Sequence, residues 1–284
     1  MTQTLTRDLA ALDEDHRALA TACEPGVALC TIVGIEGSFS RRPGAQLAIR
    51  PDGSTVGDLA DTCLEKQIAS DVAKLGEAQV VRYGRGSSCI DFRLPCGGGL
   101  DILLDPEPDR EACRAAIASL GKRTPAKLAL HSVSPLATRH YIPRLAIRPI
   151  GEGPELTALE RLAHAAGIET ETCRKCDLSL GRPTGLPLAD RWTAVVFLFH
   201  DHEWELALIE EALESEAFYI GAQGGERARN ARTLDLLARG VDEGQLARLT
   251  SPVGIIPACK SPGSLALSVL GEIVGRYEAL RTNA

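Results

Sequence analysis

Residues 145–167 read LAIRPIGEGPELTALERLAHAAG and contain the clearest change of pattern in the chain. An apolar run ends in Gly151-Glu152-Gly153, and apolar residues then recur at intervals of three and four. The first part is typical of a buried strand and the second of an amphipathic helix, in which Pro154 occupies a position that tolerates proline. The stretch therefore predicts a strand, a tight glycine turn and a helix.

The same alternation continues to the end of the chain. Further strands are predicted at residues 168–172, 192–199, 217–220 and 253–256, and helices at 154–166, 203–215, 225–239, 243–249 and 264–280. Apolar strands that alternate with amphipathic helices imply a parallel sheet covered on both faces. The expected fold class is α/β, with a Rossmann-like parallel-sheet domain at residues 134–284.

The first half predicts a separate N-terminal α/β domain at residues 1–133. Helices are predicted at 5–23, 59–75 and 106–120, and strands at 26–35, 44–49, 55–56, 79–83, 99–104 and 126–132. Residues 51–54, Pro-Asp-Gly-Ser, are a strong turn signal and indicate a hairpin between two of these strands. The pattern weakens around residues 134–143, and the domain boundary is placed there.

The composition argues against several classes of function. The 284 residues carry a net charge of −7 without a block of Lys and Arg, which disfavours nucleic-acid binding. Residues 1–16 contain acidic residues where a signal peptide would be apolar, and windows such as 194–199 are too short to cross a bilayer. We therefore expect a cytoplasmic protein, whose nine cysteines are mostly buried small hydrophobes rather than a disulfide framework.

The glycine turn at Gly151 and Gly153 has two interpretations. In a dinucleotide-binding fold these glycines would bring backbone against the pyrophosphate of NAD(P) or FAD at the helix N-terminus. However, Leu156 stands where a third glycine belongs, and Glu152 and Glu155 add carboxylates that repel phosphate and stabilise the helix start. We favour a structural turn whose helix is capped by its own carboxylates. The alternative is a site for a nucleotide or a pterin phosphate, and a nicotinamide- or flavin-dependent oxidoreductase would use it for a nucleotide.

A second glycine-rich turn lies in the first half, at residues 37–44 (GSFSRRPG). Arg41 and Arg42 stand beside its glycines between two predicted strands. Guanidinium groups next to open backbone are suited to hold an anion. A solvated loop is the alternative interpretation.

Two cysteines of the first half are placed where a thiol has chemical uses. Cys63 lies near the start of a predicted helix, a place that favours the thiolate, which attacks sulfur donors and binds soft metals. Cys96 precedes Gly97, Gly98 and Gly99, which let a ligand approach the backbone closely. A tight turn with an incidental buried cysteine is the alternative for the second site.

Two shorter motifs stand in the second half. Cys173 and Cys176 form a single Cys-x-x-Cys pair, and a zinc site would need a second pair or histidines at ligand spacing. His200, Asp201 and His202 follow the strongest predicted strand, at the edge where α/β sheets bind ligands. The favoured interpretation is that Asp201 caps a helix and that both histidines are exposed.

Taken in order, these segments resemble the XdhC/CoxI family, whose members mature molybdenum hydroxylases such as xanthine dehydrogenase. The resemblance rests in the first half on GSFSRRPGAQLAIRPDGSTVGDLADTCLEKQI and PCGGGLDILLDP. In the second half it rests on FLFHDHEWELALIEEAL, FYIGAQGGERARNARTLDLLARG and SPVGIIPACKSPGSLALSVLGEIV. Residues 60–62 replace the family's glycine pair, and residues 256–259 stand where members tend to have Asp-Ile-Gly, which indicates a divergent member.

The resemblance implies an N-terminal α/β domain and a C-terminal Rossmann-like domain, often in a homodimer. It implies a chaperone that binds the molybdenum cofactor transiently, supports its sulfuration by a cysteine desulfurase and delivers it to an apo-molybdenum hydroxylase, without being a catalyst itself. Carried over by position, the candidate cofactor contacts are Cys63, Cys96, Gly97, Gly98, Arg41 and Arg42. The thiols would face molybdenum or its sulfur, and one arginine the pterin phosphate.

The turn at Gly151 and Gly153 stays a candidate nucleotide site in the second half. The remaining alternative to a cofactor chaperone is an interaction scaffold that holds a desulfurase or an apo-hydroxylase without any ligand of its own.

Overall fold

The computed structural model describes residues 14–59, 61–87 and 97–282, and the chain divides into two compact units, residues 1–143 and 144–284. The first unit contains α1 (Glu14–Thr21), β1 (Ala28–Glu36), β2 (Gln46–Ile49), β3 (Thr55–Gly57), α2 (Thr62–Val72), β4 (Gln79–Gly84), β5 (Gly99–Asp105), α3 (Arg110–Gly121), β6 (Ala126–Ala129) and β7 (Thr138–Tyr141). The N-terminal part of the helix predicted at residues 5–23 lies outside the described residues.

An antiparallel sheet with the strand order β3-β2-β1-β5-β4 forms the centre of the first unit. Side chains alternate across a strand, and in β1 Cys30 and Ile32 pack with α2 while Leu29 packs with α1 and α3. Both faces of the sheet are therefore covered, which explains why β1 is mostly apolar. The predicted hairpin is confirmed: β2 pairs with β3, and Gly53 in the turn has a φ of +81°.

A two-stranded ribbon completes this unit and spans the expected domain boundary. The predicted strand at residues 126–132 ends at Ala129, and β6 pairs with β7, which the sequence did not indicate because residues 138–140 are polar. The phenol of Tyr141 donates to Gln46 Oε1 at 2.6 Å, and Gln46 Nε2 donates to Thr31 Oγ1 at 3.0 Å. These buried hydrogen bonds attach the ribbon to β1 and β2.

The second unit contains β8 (Ala146–Gly151), α4 (Gly153–Ala165), β9 (Glu169–Thr170), β10 (Cys173–Arg174), β11 (Thr193–Leu198), α5 (Leu206–Glu214), β12 (Tyr219–Ala222), α6 (Glu226–Ala238), α7 (Glu243–Leu246), β13 (Leu249–Thr250) and α8 (Pro262–Thr282). All strand pairs of its sheet are parallel, in the order β10-β8-β11-β12-β13, and β9 also pairs with β8. The predicted Rossmann-like domain is confirmed.

Burial on both faces of β11 explains its continuous apolar sequence. Val195 and Phe197 pack with residues of α5 and α6, and Ala194 and Val196, which point to the opposite face, are fully buried as well. The chain runs from β8 to β9 and β10 on one side and then crosses to β11 on the other. This reversal creates the crevice at which sheets of this type bind ligands.

The strand predicted at residues 253–256 is wrong. Its amides bond to helix α8 instead of a neighbouring strand: Gly254 donates to Glu272 Oε2 at 2.7 Å, and Ile256 donates to Ser268 Oγ at 2.7 Å. Gly254 has a φ of +97°, which strands do not adopt. The last strand is the shorter β13.

No helix within the described ranges of the chain is both long enough and apolar enough to cross a membrane.

Replacement of Gly151 by alanine is expected to be strongly destabilising. A Cβ at this position would lie 2.2 Å from the carbonyl oxygen of Leu198, and the φ of +150° is unfavourable for alanine. We expect Gly151→Ala to lower the free energy of unfolding by about 3 kcal/mol or more, measured by denaturant titration.

Gly167→Ala is the matched control for this substitution. Gly167 has a φ of +70°, but a Cβ there would meet nothing within 4 Å. It should cost only the backbone strain of about 1–2 kcal/mol. Equal losses in the two variants would show that the approach to Leu198 is not what requires glycine.

Candidate functional site

In the first unit, the glycine-rich turn at residues 37–44 and the glycine loop at residues 97–99 lie side by side at one end of the sheet. Gly99 pairs with Glu36 at the end of β1, and Arg85 donates its amide to the carbonyl of Gly98 at 2.8 Å. A Cβ built on Gly37 would lie 3.6 Å from the Cα of Gly98, so the turn and the loop approach each other closely. Two of the predicted site segments therefore meet in space.

The two arginines of the turn are placed differently. Arg41 forms an ion pair with the carboxylate of Asp58, and its Nε donates to the Asp58 carbonyl at 3.3 Å. The side chain of Arg41 therefore links the turn to the segment that precedes α2. Arg42 is exposed at the surface of the turn.

Cys63 is exposed in the first turn of α2. The carboxylate of Asp61 accepts hydrogen bonds from the amides of Cys63 at 2.8 Å and Leu64 at 3.0 Å, so it caps the helix. The thiol thus stands at the surface on a helix that the Arg41–Asp58 contact links to the glycine turn.

The glycine loop is described from Gly97 onwards, and Cys96 lies outside the described residues. Gly97 is exposed with a φ of +66°, and a Cβ there would meet nothing within 4 Å. Gly98 is buried. Gly99 has no room for a side chain, because a Cβ would lie 2.7 Å from the backbone carbonyl oxygen of Arg85.

In the second unit, acidic side chains fill the turn at Gly151 and Gly153. The carboxylate of Glu152 pairs with Lys175 Nζ at 2.8 Å, and Glu155 Oε2 lies 3.4 Å from His200 Nε2. A Cβ on Gly153 would lie 3.2 Å from the same oxygen of Glu155. The expectation that these acids cap α4 is wrong for Glu152, whose side chain makes no capping hydrogen bond.

A cavity of about 550 Å³ extends from this turn across the carboxyl edge of the sheet. Its walls include residues that follow β11, β12 and β13, so it occupies the crevice of the parallel sheet. Its size is that of a typical small-molecule site. Imidazole, ammonium and thiol groups line it together with apolar side chains, and the polar members are Glu155, His200, His202, Gln223, Cys259 and Lys260.

A buried ion pair lies behind one wall of this cavity. Glu205 and Arg232 are almost completely buried, and Glu205 Oε1 accepts from Arg232 Nε at 2.7 Å. The same oxygen lies 2.8 Å from His202 Nδ1. Burial raises the pKa of Glu205, while Arg232 and His202 act in the opposite direction.

His202 is therefore not the exposed histidine that the sequence predicted. It is half-buried, with one ring nitrogen against Glu205 and the ring in the cavity wall. The rest of the prediction is confirmed, since Asp201 accepts from the amide of Glu203 at 3.3 Å and His200 is exposed.

The Cys-x-x-Cys pair is divided between core and surface. Cys173 is buried in β10, and burial raises its pKa, whereas Cys176 is exposed. Within the described part of the chain, no three side chains of His, Cys, Asp and Glu are arranged to hold a metal ion.

Comparisons with known proteins agree with this architecture. The sequence pattern of the XdhC Rossmann domain matches residues 149–273, and that of the XdhC and CoxI family matches residues 22–84. The molybdenum cofactor insertion chaperone PaoD of Escherichia coli K12 is 30% identical over 287 residues, which span 92% of this chain and 89% of PaoD. The chain belongs to the XdhC and CoxI family.

Two other similarities are less close. The uncharacterized protein YqeB of Escherichia coli K12 is 24% identical over 255 residues, which cover 87% of this chain and 43% of YqeB. A crystal structure of a xanthine dehydrogenase from Bacillus halodurans matches with a TM-score of 0.70 and 20% identity, over 93% of this chain and 96% of that one. At this identity the likeness concerns the fold.

The family matches cover some of the candidate residues and not others. Arg41, Arg42 and Cys63 lie within residues 22–84, whereas Cys96 lies in neither matched range. All residues that line the cavity of the second unit lie within residues 149–273, the range matched by the XdhC Rossmann domain.

Sequence reasoning missed Glu205 and Arg232. In helix patterns such residues are normally taken for solvated surface charges. One signal was present for Arg232: it stands four residues before Leu236, and these two are the buried positions of α6. A charge on the apolar stripe of a helix indicates a buried partner.

Substitution of Arg232 by methionine is expected to leave the buried carboxylate of Glu205 without its cation. The predicted loss is about 3–5 kcal/mol of unfolding free energy near neutral pH, measured by denaturant titration. Because folding raises the pKa of Glu205, its charged form disfavours the folded state, and this loss grows as the pH rises through the raised pKa. The deficit should therefore shrink when the pH is lowered from about 8 to about 5.

Arg239→Met provides the control, because Arg239 pairs with Glu210 at the surface. This variant should lose less than about 1 kcal/mol. A deficit of Arg232→Met that did not depend on pH would contradict an uncompensated Glu205 charge.

Proposed function

We propose that this chain is a molybdenum cofactor chaperone. In this proposal it binds the cofactor as cargo, shields it while a cysteine desulfurase supplies the sulfido ligand, and passes it to an apo-molybdenum hydroxylase of the xanthine dehydrogenase type. The observation that carries the proposal is the alignment with PaoD, a molybdenum cofactor insertion chaperone, over most of both chains.

The geometry of the first unit supports a contact with the metal end of the cargo. The exposed Cys63 thiol is a soft group that suits molybdenum or its sulfur. The open backbone at Gly97 and the neighbouring Gly98 lie against the glycine turn, so a ligand can approach main-chain atoms there. An exposed thiol and an open stretch of backbone each suit a transient contact, as delivery of a cargo requires.

We assign the pterin phosphate in this proposal to Arg42, whose side chain is exposed at the surface of the turn. Cys96 is proposed as a second thiol contact that precedes Gly97 in sequence. We further propose that the chain acts in the cytoplasm as a homodimer and as a maturation factor rather than a catalyst.

We do not propose an oxidoreductase that uses NAD(P) or FAD at Gly151 and Gly153. The carboxylates of Glu152 and Glu155 lie beside that turn, where they would repel a pyrophosphate.

The chaperone proposal predicts that Cys63→Ala reduces cofactor transfer. The protein is purified from cells that make the cofactor, bound pterin is measured by fluorescence after oxidation, and molybdenum by mass spectrometry. Loaded protein is then mixed with apo-hydroxylase, and the recovered activity is measured. We expect wild type to hold both components and Cys63→Ala to lower recovered activity by about tenfold or more, because a soft ligand to the metal end is lost.

Cys176→Ala is the matched control, since Cys176 is an equally exposed thiol in the other unit. It should behave as wild type. A wild-type protein that holds neither pterin nor molybdenum, yet still captures the hydroxylase or the desulfurase, would overturn the proposal in favour of a ligand-free scaffold.

A further inference from the structure

The cavity of the second unit has a polar wall that the proposed contacts at Cys63, Gly97 and Arg42 do not use. The His202 ring forms part of this wall. Its Nδ1 lies 2.8 Å from Glu205 Oε1. Since a carboxylate next to Nδ1 keeps the proton on that nitrogen, Nε2 at the far side of the ring is left to accept or share a proton.

Glu205 and Arg232 act as positioning residues for this ring. Both are buried, and Arg232 also donates to Ser251 Oγ at 2.8 Å and to the carbonyl of Gln223 at 2.7 Å. The imidazole is therefore held by a network that spans three loops of the crevice. Such support is how proteins fix the orientation of a binding or proton-transferring histidine.

The loop at Gly224 and Gly225 lies next to this ring and is open to a ligand. A Cβ on Gly224 would lie 3.3 Å from His202 Cε1 and 3.5 Å from a guanidinium nitrogen of Arg232. Gly225 precedes α6 without a side-chain cap, and a Cβ there would meet nothing within 4 Å. Lys260 lines the same cavity. The open backbone thus shares this cavity with the imidazole of His202, the ammonium of Lys260 and one carboxylate, Glu155, and lies close to the buried guanidinium of Arg232.

Another part of the cavity lining consists of apolar side chains. Phe199, Val253, Ile256 and Leu265 line it. A ligand that fills the cavity therefore needs a flat apolar part and an anionic part at a defined distance from each other. The volume of about 550 Å³ accommodates a heterocycle with one phosphate.

We infer that the crevice of the second unit binds a phosphate monoester of a flat heterocycle, with the phosphate at His202, Gly225 and Lys260. The O–H of a phosphate monoester monoanion can donate to His202 Nε2, while its other oxygens accept from Lys260 Nζ and the open backbone at Gly225. The heterocycle lies along Val253 and Leu265. In the sheet, β11 lies between β12, which precedes this place, and β8, which precedes Gly153 and its neighbouring carboxylates.

Two sources supply this chemistry. One is a free mononucleotide, which would make the crevice a second site beside that of the cargo. The other is the pterin phosphate of the cofactor itself; this source rests on the proposed function and moves the phosphate contact from Arg42 to His202.

The test uses full-length protein and two variants, His202→Gln, which keeps a donor toward Glu205, and Lys260→Ala, an exposed position. His164→Gln and Lys122→Ala are the matched controls, because both are exposed and lie outside the cavity. Adenosine 5′-monophosphate is titrated by calorimetry, and retained cofactor is measured by pterin fluorescence after co-production. Thermal unfolding confirms that each variant is folded.

A free mononucleotide is the ligand if adenosine monophosphate binds wild type and both crevice variants weaken it by about tenfold or more. The cofactor is the ligand if the monophosphate does not bind, but both variants retain about tenfold less cofactor while Arg42→Ala retains it. The inference is overturned if the crevice variants match their controls in both assays, even where wild type holds the cofactor. Monophosphate binding by a wild type that holds no cofactor would support the crevice site and refute the chaperone proposal separately.

Discussion

The buried pair of Glu205 and Arg232 holds together the loops that border the crevice of the second unit. Glu205 lies between the segment after β11 and helix α5, and Arg232 lies on α6. The guanidinium reaches the ends of two further strands through Gln223 and Ser251. Three loops of the carboxyl edge, after β11, β12 and β13, thus depend on one charge pair for their relative positions.

Such a pair is expensive to bury and is not a good source of stability by itself. Two ions lose their hydration, and the attraction between them compensates for this only when the geometry is good. Here Glu205 Oε1 accepts a hydrogen bond from Arg232 Nε and also contacts His202 Nδ1, while Oε2 has no hydrogen-bond partner. A fully apolar core would give the fold at lower cost, so a role in fixing His202 accounts better for the pair than stability does.

The sequence was a good guide wherever burial sets the pattern. The apolar run of β11, the helix after Gly153 and the hairpin at Gly53 were all predictable, because each depends on local periodicity or on a turn residue. The strand at residues 253–256 was mispredicted for the opposite reason. Its apolar residues look like a strand, but its amides are bound by side chains of α8, and such long-range hydrogen bonds leave no local signal.

Charged residues of the candidate sites were harder to interpret, because the sequence does not show which of them form ion pairs in the folded protein. Arg41 and Arg42 are neighbours in sequence, yet one is engaged by Asp58 and the other is at the surface. Only the fold reveals the contact with Asp58, since strands β2 and β3 separate Asp58 from the turn along the chain.

The N-termini of α4 and α6, both at the carboxyl edge of the parallel sheet, differ in the charges of the side chains around them. Helix α4 begins at a glycine turn of the kind that holds pyrophosphates, but Glu152 and Glu155 bring negative charge to it. Helix α6 begins after Gly225 without a side-chain cap, close to His202 and the buried Arg232, and its first turn contains one exposed acid, Glu226. Since the N-terminus of either helix favours an anion, the neighbouring side chains decide between them. The imidazole and the guanidinium beside Gly224 favour α6, although the glycine pattern of the sequence pointed to α4.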